Sequence, residues 1–434
     1  MHIAVVGTGY VGLISGACFA SFGHHVTCID KNVDVIQRLN RGVLPFFEPD
    51  LKKLLHTDIV KTHLSFSHET TCVAHADAVF LAVGTPETPT GDADVSAVFL
   101  VVEDLAAQLK KGARIVLKST VPIGTNKRVH NALARLGRPD VGVISNPEFL
   151  REGSAIPDFM KPDRLVVGVR VSEDETLMRQ LYQPLLDQNV PFLATEPETA
   201  ETIKYAANSF LAMKITFINQ VADLCEQTGG NVEDVAQGIG LDHRINPYFL
   251  KPGPGFGGSC FPKDTRALEA TAQKCGVDLS LVRTAIEANT RRKEAMGKRI
   301  VSYMNHNVRG KTIAAWGITF KANTDDLRES PAMTILSYLE KQGARLALFD
   351  PQAKKNIENQ FDALTVCADP YEAAHGADAL VILTEWPLFQ NADLDRLKHT
   401  LAHPRIIDLR NLYQAPLMKE KGFFYVPIGQ PARS

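Results

Sequence analysis

Short runs of β-branched and apolar residues alternate with stretches of helical period through the first half of the chain. That is the pattern of a parallel sheet covered by helices on both faces. The runs that predict strands are His2–Val6, His25–Ile29, 78–83, 114–118, 141–145 and 165–169. Near residue 196 the period changes to that of one long helix reaching 228, with Ile203, Ala207, Phe210, Lys214, Phe217, Val221 and Leu224 on or near one stripe. Thr195 followed by Glu198 fits a capping box, and Pro197 is tolerated in a first turn because its missing N–H has no partner there. More helix follows, broken by the Pro- and Gly-rich stretch 246–258 and resuming to about residue 305. Lys311-Thr-Ile-Ala-Ala-Trp-Gly then opens a second alternation, with strands expected at 344–349, 379–383 and 405–409. Two α/β domains, at 1–195 and 306–434, therefore flank a helical domain at 196–305.

Composition narrows the class without changing this picture. Hydrophobic residues are 45% and charged residues 22% of the 434, so each domain can bury an ordinary core and a disordered or fibrous chain is excluded. The 47 Lys and Arg against 49 Asp and Glu supply no long-range field for nucleic acid or an anionic membrane. An anionic ligand must be met by local groups. The start Met-His-Ile-Ala-Val-Val-Gly lacks the features of a signal peptide, and no window approaches 18 apolar residues, so the expected location is cytoplasmic. The seven cysteines, at 18, 28, 72, 225, 260, 275 and 367, form no CxxC pair and read as reduced thiols, with no metal site indicated.

Chemistry concentrates in a few places. Gly7-Thr8-Gly9-Tyr10-Val11-Gly12 follows an apolar strand and opens a helix, where glycines let the backbone approach a pyrophosphate at the helix N-terminus. Asp30 closes the next strand, where a carboxylate accepts from an adenosine ribose and repels a 2′-phosphate; this favours NAD over NADP, although Lys31 leaves some room for the latter. The fold class is thus α/β, two Rossmann-like parallel-sheet domains joined by a central long-helix domain. Lys204 and Asn208 form an i,i+4 pair on the long helix; the lysine is either a solvated side chain or a desolvated ammonium able to hold an oxyanion or act as a base.

Cys260 follows Gly255-Phe256-Gly257-Gly258-Ser259, a setting that leaves the thiol unshielded, whereas the other six cysteines read as small buried hydrophobes. An ordinary thiol is only about 3% thiolate at pH 7, and a nearby cation worth about 2 kcal/mol would raise that to about half. Lys263 and Lys204 are the candidates. Asn146-Pro147-Glu148-Phe149-Leu150-Arg151-Glu152-Gly153 leaves a strand at its carboxyl end, where open parallel sheets bind ligands, and its two carboxylates are either ordinary surface acids or groups for proton transfer or water activation. Thr120, after the neighbouring strand, would share that rim and could hold a water. Lys321 and Arg328, in the first crossover of the last domain, are either solvated charges or cations suited to a diphosphate.

Taken together, these blocks resemble the UDP-glucose 6-dehydrogenase family, within the nucleotide-sugar dehydrogenases. The resemblance runs nearly end to end, through GTGYVG at 7–12, PFFEPDL at 45–51, VGTP at 83–86, KSTVP at 118–122, NPEFLREG at 146–153, KYAANSFLAMKI at 204–215, FGGSCFPKD at 256–264 and DLRESP at 326–331. It implies oxidation of the C6 alcohol of UDP-glucose to the carboxylate, with two NAD reduced. Lys204 and a water held by Asp264 would handle the alcohol proton and Cys260 would trap the aldehyde. Lys204 and Asn208 would steady the oxyanion, and water assisted by Glu148 and placed by Thr120 would hydrolyse the thioester. The cofactor would lie against Gly7, Gly9, Tyr10, Val11, Gly12, Asp30, Thr85, Thr120, Glu152, Lys263 and Arg328. The sugar nucleotide would meet Phe149, Leu150, Arg151, Glu152, Lys204, Asn208, Phe249, Leu250, Lys251, Gly257, Lys321 and Arg410, with Arg244 donated by a neighbouring subunit. The long helix would pair two copies in a homodimer, whereas the stripe by itself fits packing within one chain equally well.

Three other readings fit part of the sequence. GDP-mannose or a UDP-N-acetylhexosamine could replace UDP-glucose with the same chemistry. A hydroxyacid dehydrogenase would use Lys204 and Asn208 but not Cys260, and an NAD-binding regulator would leave the whole set idle.

Overall fold

The protein is described by a computed structural model covering residues 1–353, 357 and 360–431; parts of the expected third domain (354–356, 358–359 and 432–434) lie outside the described residues. It divides into two compact units, Met1–Ala207 with Arg266–Val277 and Asn208–Thr265 with Asp278–Ser434. Of the three divisions, two fall inside helices, Pro197–Thr228 and Phe261–Lys274, and the third between Phe261–Lys274 and Ser280–Tyr303.

The first unit is built on eight strands: β1 His2–Val6, β2 His25–Ile29, β3 Leu64–Ser67, β4 Ala78–Leu81, β5 Arg114–Leu117, β6 Gly142–Ser145, β7 Leu165–Gly168 and β8 Phe192–Thr195. Their order is β3-β2-β1-β4-β5-β6-β7-β8. Neighbours run parallel except at β6 and β7, joined by one antiparallel pair, Ser145 with Gly168, so the expected parallel sheet reverses once. Strand β1 shows why the sequence chooses this layer: Ile3 and Val5 enter the core on one face, Ala4 and Val6 the core on the other. Chain order reverses between β1 and β4, which opens a crevice at the carboxyl ends of these strands. The Gly7–Gly12 turn lies there.

The second unit repeats the plan with β9 Thr312–Trp316, β10 Arg345–Phe349, β11 Leu364–Val366, β12 Ala379–Ile382, β13 Arg405–Asp408 and β14 Phe424–Val426, all parallel in the order β11-β10-β9-β12-β13-β14. The first turns correspond. Gly7 N–H donates to Ile29 O and Gly317 N–H to Phe349 O, each at 2.8 Å. Asp30 and Asp350 then follow β2 and β10.

The long helix runs Pro197–Thr228, but the expected capping box is not what starts it. Thr195 is the last residue of β8, and the Glu198 carboxylate is drawn to Arg170 at 3.1 Å. Its buried side carries Ala200, Tyr205, Ala212, Ile218, Ala222 and Cys225, whereas Phe210, Phe217 and Leu224 of the expected stripe are 55–61% exposed. Among the described residues no helix is long and apolar enough to cross a membrane.

Candidate active site

In the first unit, the cofactor turn has the geometry that a bound dinucleotide needs. Helix Tyr10–Ser21 has no side-chain cap at its N-terminus, and a Cβ on Gly9 would meet nothing within 4 Å, leaving the approach to these N–H groups open. A Cβ on Gly12 would lie 1.8 Å from Gly7 O, so only glycine permits that packing. Asp30 Oδ2 accepts from Thr8 N and Thr8 Oγ1, both at 2.8 Å, and Oδ1 from Asn32 N at 3.0 Å; being half-buried, the carboxylate keeps lone pairs for a ribose. Its counterpart Asp350 is different. It is 2% exposed and its oxygens take Ile318 N, Thr319 Oγ1, Trp386 Nε1, Gln352 N and Ala353 N, which closes that position to a ligand. Thr85 Oγ1 donates to Thr120 O at 2.8 Å, tying the two threonines expected beside the cofactor.

Lys204 is buried, at 3% exposed, and its Nζ lies 2.9 Å from Glu148 Oε1, itself 6% exposed. This settles the choice between solvated and desolvated lysine. Phe149 packs beside it, with Lys204 Nζ 5.5 Å and Arg164 3.8 Å from the ring centre, an arrangement in which the ring face attracts both cations. A small cavity is lined by Ser119, Thr120, Ser145, Pro147, Glu201 and Lys204. Of the loop's charged residues, Arg151 is engaged through its backbone and guanidinium by Asp158, at 2.6–3.0 Å. Leu150 N donates to Glu148 Oε2 at 2.6 Å, fixing the carboxylate from its other side.

Three buried polar groups around this half escaped the sequence reading. Glu201, one turn before Lys204, accepts from Gly124 N and Asn126 N, and burial lifts its carboxyl to about 7 despite those donors. Lys118 donates to Asn146 Oδ1 at 3.0 Å and Tyr182 Oη at 3.2 Å, both neutral, and burial brings its ammonium down to about 8, with Glu148 opposing the shift and Lys204 adding to it. Glu48 accepts from Tyr10 and from the turn after Arg151. Lys118 and Glu48 sit inside blocks visible as motifs; Glu201 was marked only by its three-residue spacing from Lys204.

In the second unit, Asn208 Nδ2 donates to Asp264 Oδ2 and Lys263 Nζ to Asp264 Oδ1, both at 2.7 Å, with Asp264 only 1% exposed. The Lys263 charge is thus directed to Asp264. Cys260 is half-buried just before helix Phe261–Lys274, its Sγ 3.5 Å from Ser259 Oγ. Of the other cysteines, 18, 28, 225 and 367 are buried as expected, but Cys275 is exposed and Cys72 only partly buried.

The loop before the thiol is clamped by groups the sequence did not single out. Asn289 Oδ1 accepts from Phe256 N at 2.8 Å and its Nδ2 donates to Phe256 O at 3.0 Å. Asn219 Oδ1 accepts from Gly253 N, and Arg292 Nε donates to Gly253 O. A Cβ on Gly257 would come within 2.4 Å of Glu329 O, so no side chain fits there. Asn289, Arg292 and Lys293 have helical spacing on Ser280–Tyr303, a pattern that sequence alone cannot distinguish from a solvated face.

The expected sugar contacts of this unit are variously placed. Phe249 has φ 63°, Leu250 is buried and Lys251 exposed. Lys321 Nζ lies 5.3 Å from the Phe320 ring centre, and Arg328 pairs with Asp326 at 2.8 Å. Arg410 donates to Leu383 O and Phe320 O and pairs with Glu385 at 3.0 Å, so its guanidinium organises the carboxyl ends of the strands. Arg244 is exposed and forks onto Asp242 of its own chain.

Models of one family match the three parts of the chain: its NAD binding domain at residues 1–186, its central domain at 198–291 and its UDP binding domain at 314–415. The chain belongs to the UDP-glucose/GDP-mannose dehydrogenase family. Within that family it is 48% identical to a UDP-glucose 6-dehydrogenase of Rhizobium meliloti over 99% of this chain and 100% of the relative. Among solved structures, a UDP-glucose dehydrogenase of Pyrobaculum islandicum superposes with a TM-score of 0.87 at 34% identity, covering 96% of this chain and 95% of that one. A UDP-D-ManNAc dehydrogenase of Pyrococcus horikoshii gives the same TM-score at 26% identity, with both chains fully covered. Fold alone therefore does not choose the sugar.

Proposed function

We propose that the protein oxidises C6 of UDP-glucose to UDP-glucuronate by four electrons, reducing two NAD. The observation that carries this reading is the pair of buried contacts one turn apart on a single helix, Lys204 with Glu148 and Asn208 with Asp264, the latter four residues after Cys260. The high identity to UDP-glucose enzymes supports the choice of sugar.

NAD held in the first unit would supply the hydride acceptor for both oxidations at C6. Gly7, Gly9, Tyr10, Val11 and Gly12 would hold its pyrophosphate, Asp30 its ribose, and Thr85, Thr120, Glu152, Lys263 and Arg328 the remainder. In the first oxidation the alcohol proton passes to the Lys204 amine, with a water on Asp264 assisting, and an aldehyde forms. The Cys260 thiolate adds to that carbon while Lys204 returns a proton to the oxygen, giving a thiohemiacetal. This restores a carbon–hydrogen bond beside a hydroxyl, and so a hydride donor, and keeps the reactive carbonyl attached. Loss of the second hydride, with the hydroxyl proton passing back to the Lys204 amine, leaves a thioester whose oxygen is steadied by that ammonium and Asn208. Water held by Thr120 attacks as Glu148 takes its proton, the carbon–sulfur bond breaks and the thiolate is regenerated. Phe149, Leu150, Arg151, Glu152, Phe249, Leu250, Lys251, Gly257, Lys321 and Arg410 hold the sugar nucleotide.

The same reading keeps the functional division at 1–195, 196–305 and 306–434 and places the protein in the cytoplasm. It also makes the protein a homodimer. Phe210, Phe217 and Leu224 recur every seven residues and are each more than half exposed, a surface suited to a second copy, which would receive Arg244.

The test is the NADH formed per UDP-glucose consumed to completion, with GDP-mannose and UDP-N-acetylglucosamine in parallel. Two NADH per UDP-glucose is expected. One NADH would remove Cys260 from a second oxidation, and turnover of another nucleotide sugar alone would keep the chemistry and change the substrate.

A further inference from the structure

We propose that Glu48 is a positioning residue coupling the cofactor turn to the sugar-contacting turn, so that bound cofactor tightens the binding of the sugar nucleotide. The inference rests on the reading of Phe149 to Glu152 as sugar contacts given above. Glu48 is only 4% exposed, although its neighbours Phe47 and Pro49 are half-buried. Its Oε2 accepts from the Tyr10 phenol at 2.5 Å and from Gly153 N at 2.7 Å, and its Oε1 accepts from Ala155 N at 2.7 Å. One carboxylate therefore joins the first residue of the cofactor helix to two backbone groups flanking the turn that follows Glu152.

A buried carboxylate is costly unless donors surround it, and these three donors come from two separate functional loops. Burial first, then the hydrogen bond to Glu48, raises the Tyr10 phenol well above the ordinary tyrosine range. The proton stays on Tyr10, the phenol donates and Glu48 accepts. The Tyr10 oxygen also lies 3.4 Å from Arg151 O, and its ring packs on Phe46 with centres 5.1 Å apart. At its far end the sugar turn is held by Asp158, which takes Arg151 N at 2.9 Å. Cofactor that orders the Gly7–Gly12 turn thereby orders the second turn through the Tyr10–Glu48 bond. A ligand arriving at the ordered turn has less ordering left to do, which is positive cooperativity without a change of fold.

The experiment is calorimetric titration of UDP-glucose into the wild type, Tyr10→Phe and Glu48→Gln, each with and without saturating NADH. NADH already carries its hydride, so no turnover interferes. In the wild type, NADH is expected to tighten UDP-glucose about fivefold or more. In Tyr10→Phe the ratio should fall to near one, because the phenol link is lost while Glu48 keeps Gly153 and Ala155. In Glu48→Gln it should also approach one, with weaker UDP-glucose binding even without NADH. A wild-type ratio of one, or a ratio unchanged in Tyr10→Phe, overturns the coupling; Tyr10→Phe carries the test if Glu48→Gln does not fold. Should the wild type form no NADH from NAD and UDP-glucose, the proposed function fails instead.

Discussion

Asn289 grips Phe256 at both ends of its backbone, accepting from its N–H at 2.8 Å and donating to its carbonyl at 3.0 Å. The loop that delivers Cys260 is thus held by a side chain outside every recognisable motif. Replacing Asn289 with Ala leaves both Phe256 groups buried and unpaired, a loss of at least about 2 kcal/mol. Urea unfolding should show that loss, and mass-mapped alkylation of Cys260 by iodoacetamide should become faster as the loop loosens. Unchanged stability and labelling would mean that the clamp holds nothing.

Cys260→Ala should end uronate formation while leaving NAD affinity within about twofold of the wild type. Product analysis after long incubation with UDP-glucose and NAD is the check. Normal turnover by this variant would remove the covalent route.

Asp30→Ala removes the acceptor for Thr8 N, Thr8 Oγ1 and Asn32 N as well as the ribose partner. NAD should bind at least about tenfold more weakly, with discrimination against NADP relaxed, since a lost charged hydrogen bond is worth about 1.5–3 kcal/mol. Competitive titration with both cofactors reads this directly, and an unaltered preference would contradict the assignment.

Burial holds the Glu201 carboxyl up to about 7, whereas in the unfolded chain it returns to its ordinary value near 4.5. Between those values the folded protein binds more protons than the unfolded chain. The group's contribution to stability therefore falls as pH rises through the window, by up to about 3 kcal/mol, and is level on either side. Denaturant midpoints at pH 5, 6, 7 and 8 should show Glu201→Gln losing less stability than the wild type across the window. Parallel curves would place the Glu201 carboxyl near its ordinary value.

The ten interior strands that the sequence marked differ from the structure by a residue or so, because each is a run of apolar residues buried on both faces. The four it missed, β3, β8, β11 and β14, are the edges of the two sheets. Leu64-Ser-Phe-Ser and Leu364-Thr-Val are short and half-exposed, and without a second neighbour they show no continuous apolar run. The site divides similarly. Gly12, Asp30, Lys204, Asn208 and Cys260 were legible because their residue types are costly or odd for a plain helix or loop. Lys118, Glu201 and Asn289 were not, since an inward lysine and an outward one have the same spacing until the neighbouring elements are in place.

The first compact unit is not continuous in sequence: the chain leaves it at Ala207 and comes back at Arg266. In that returning segment Arg266 pairs with Glu87 and Lys274 with Asp92, each at 2.6 Å. During synthesis the eight-stranded sheet leaves the ribosome well before these partners exist. A fragment ending at Ala207 therefore lacks the returning segment and both of these ion pairs. Because the first unit takes segments from both sides of residues 208–265, no single cut in the gene separates the two compact units.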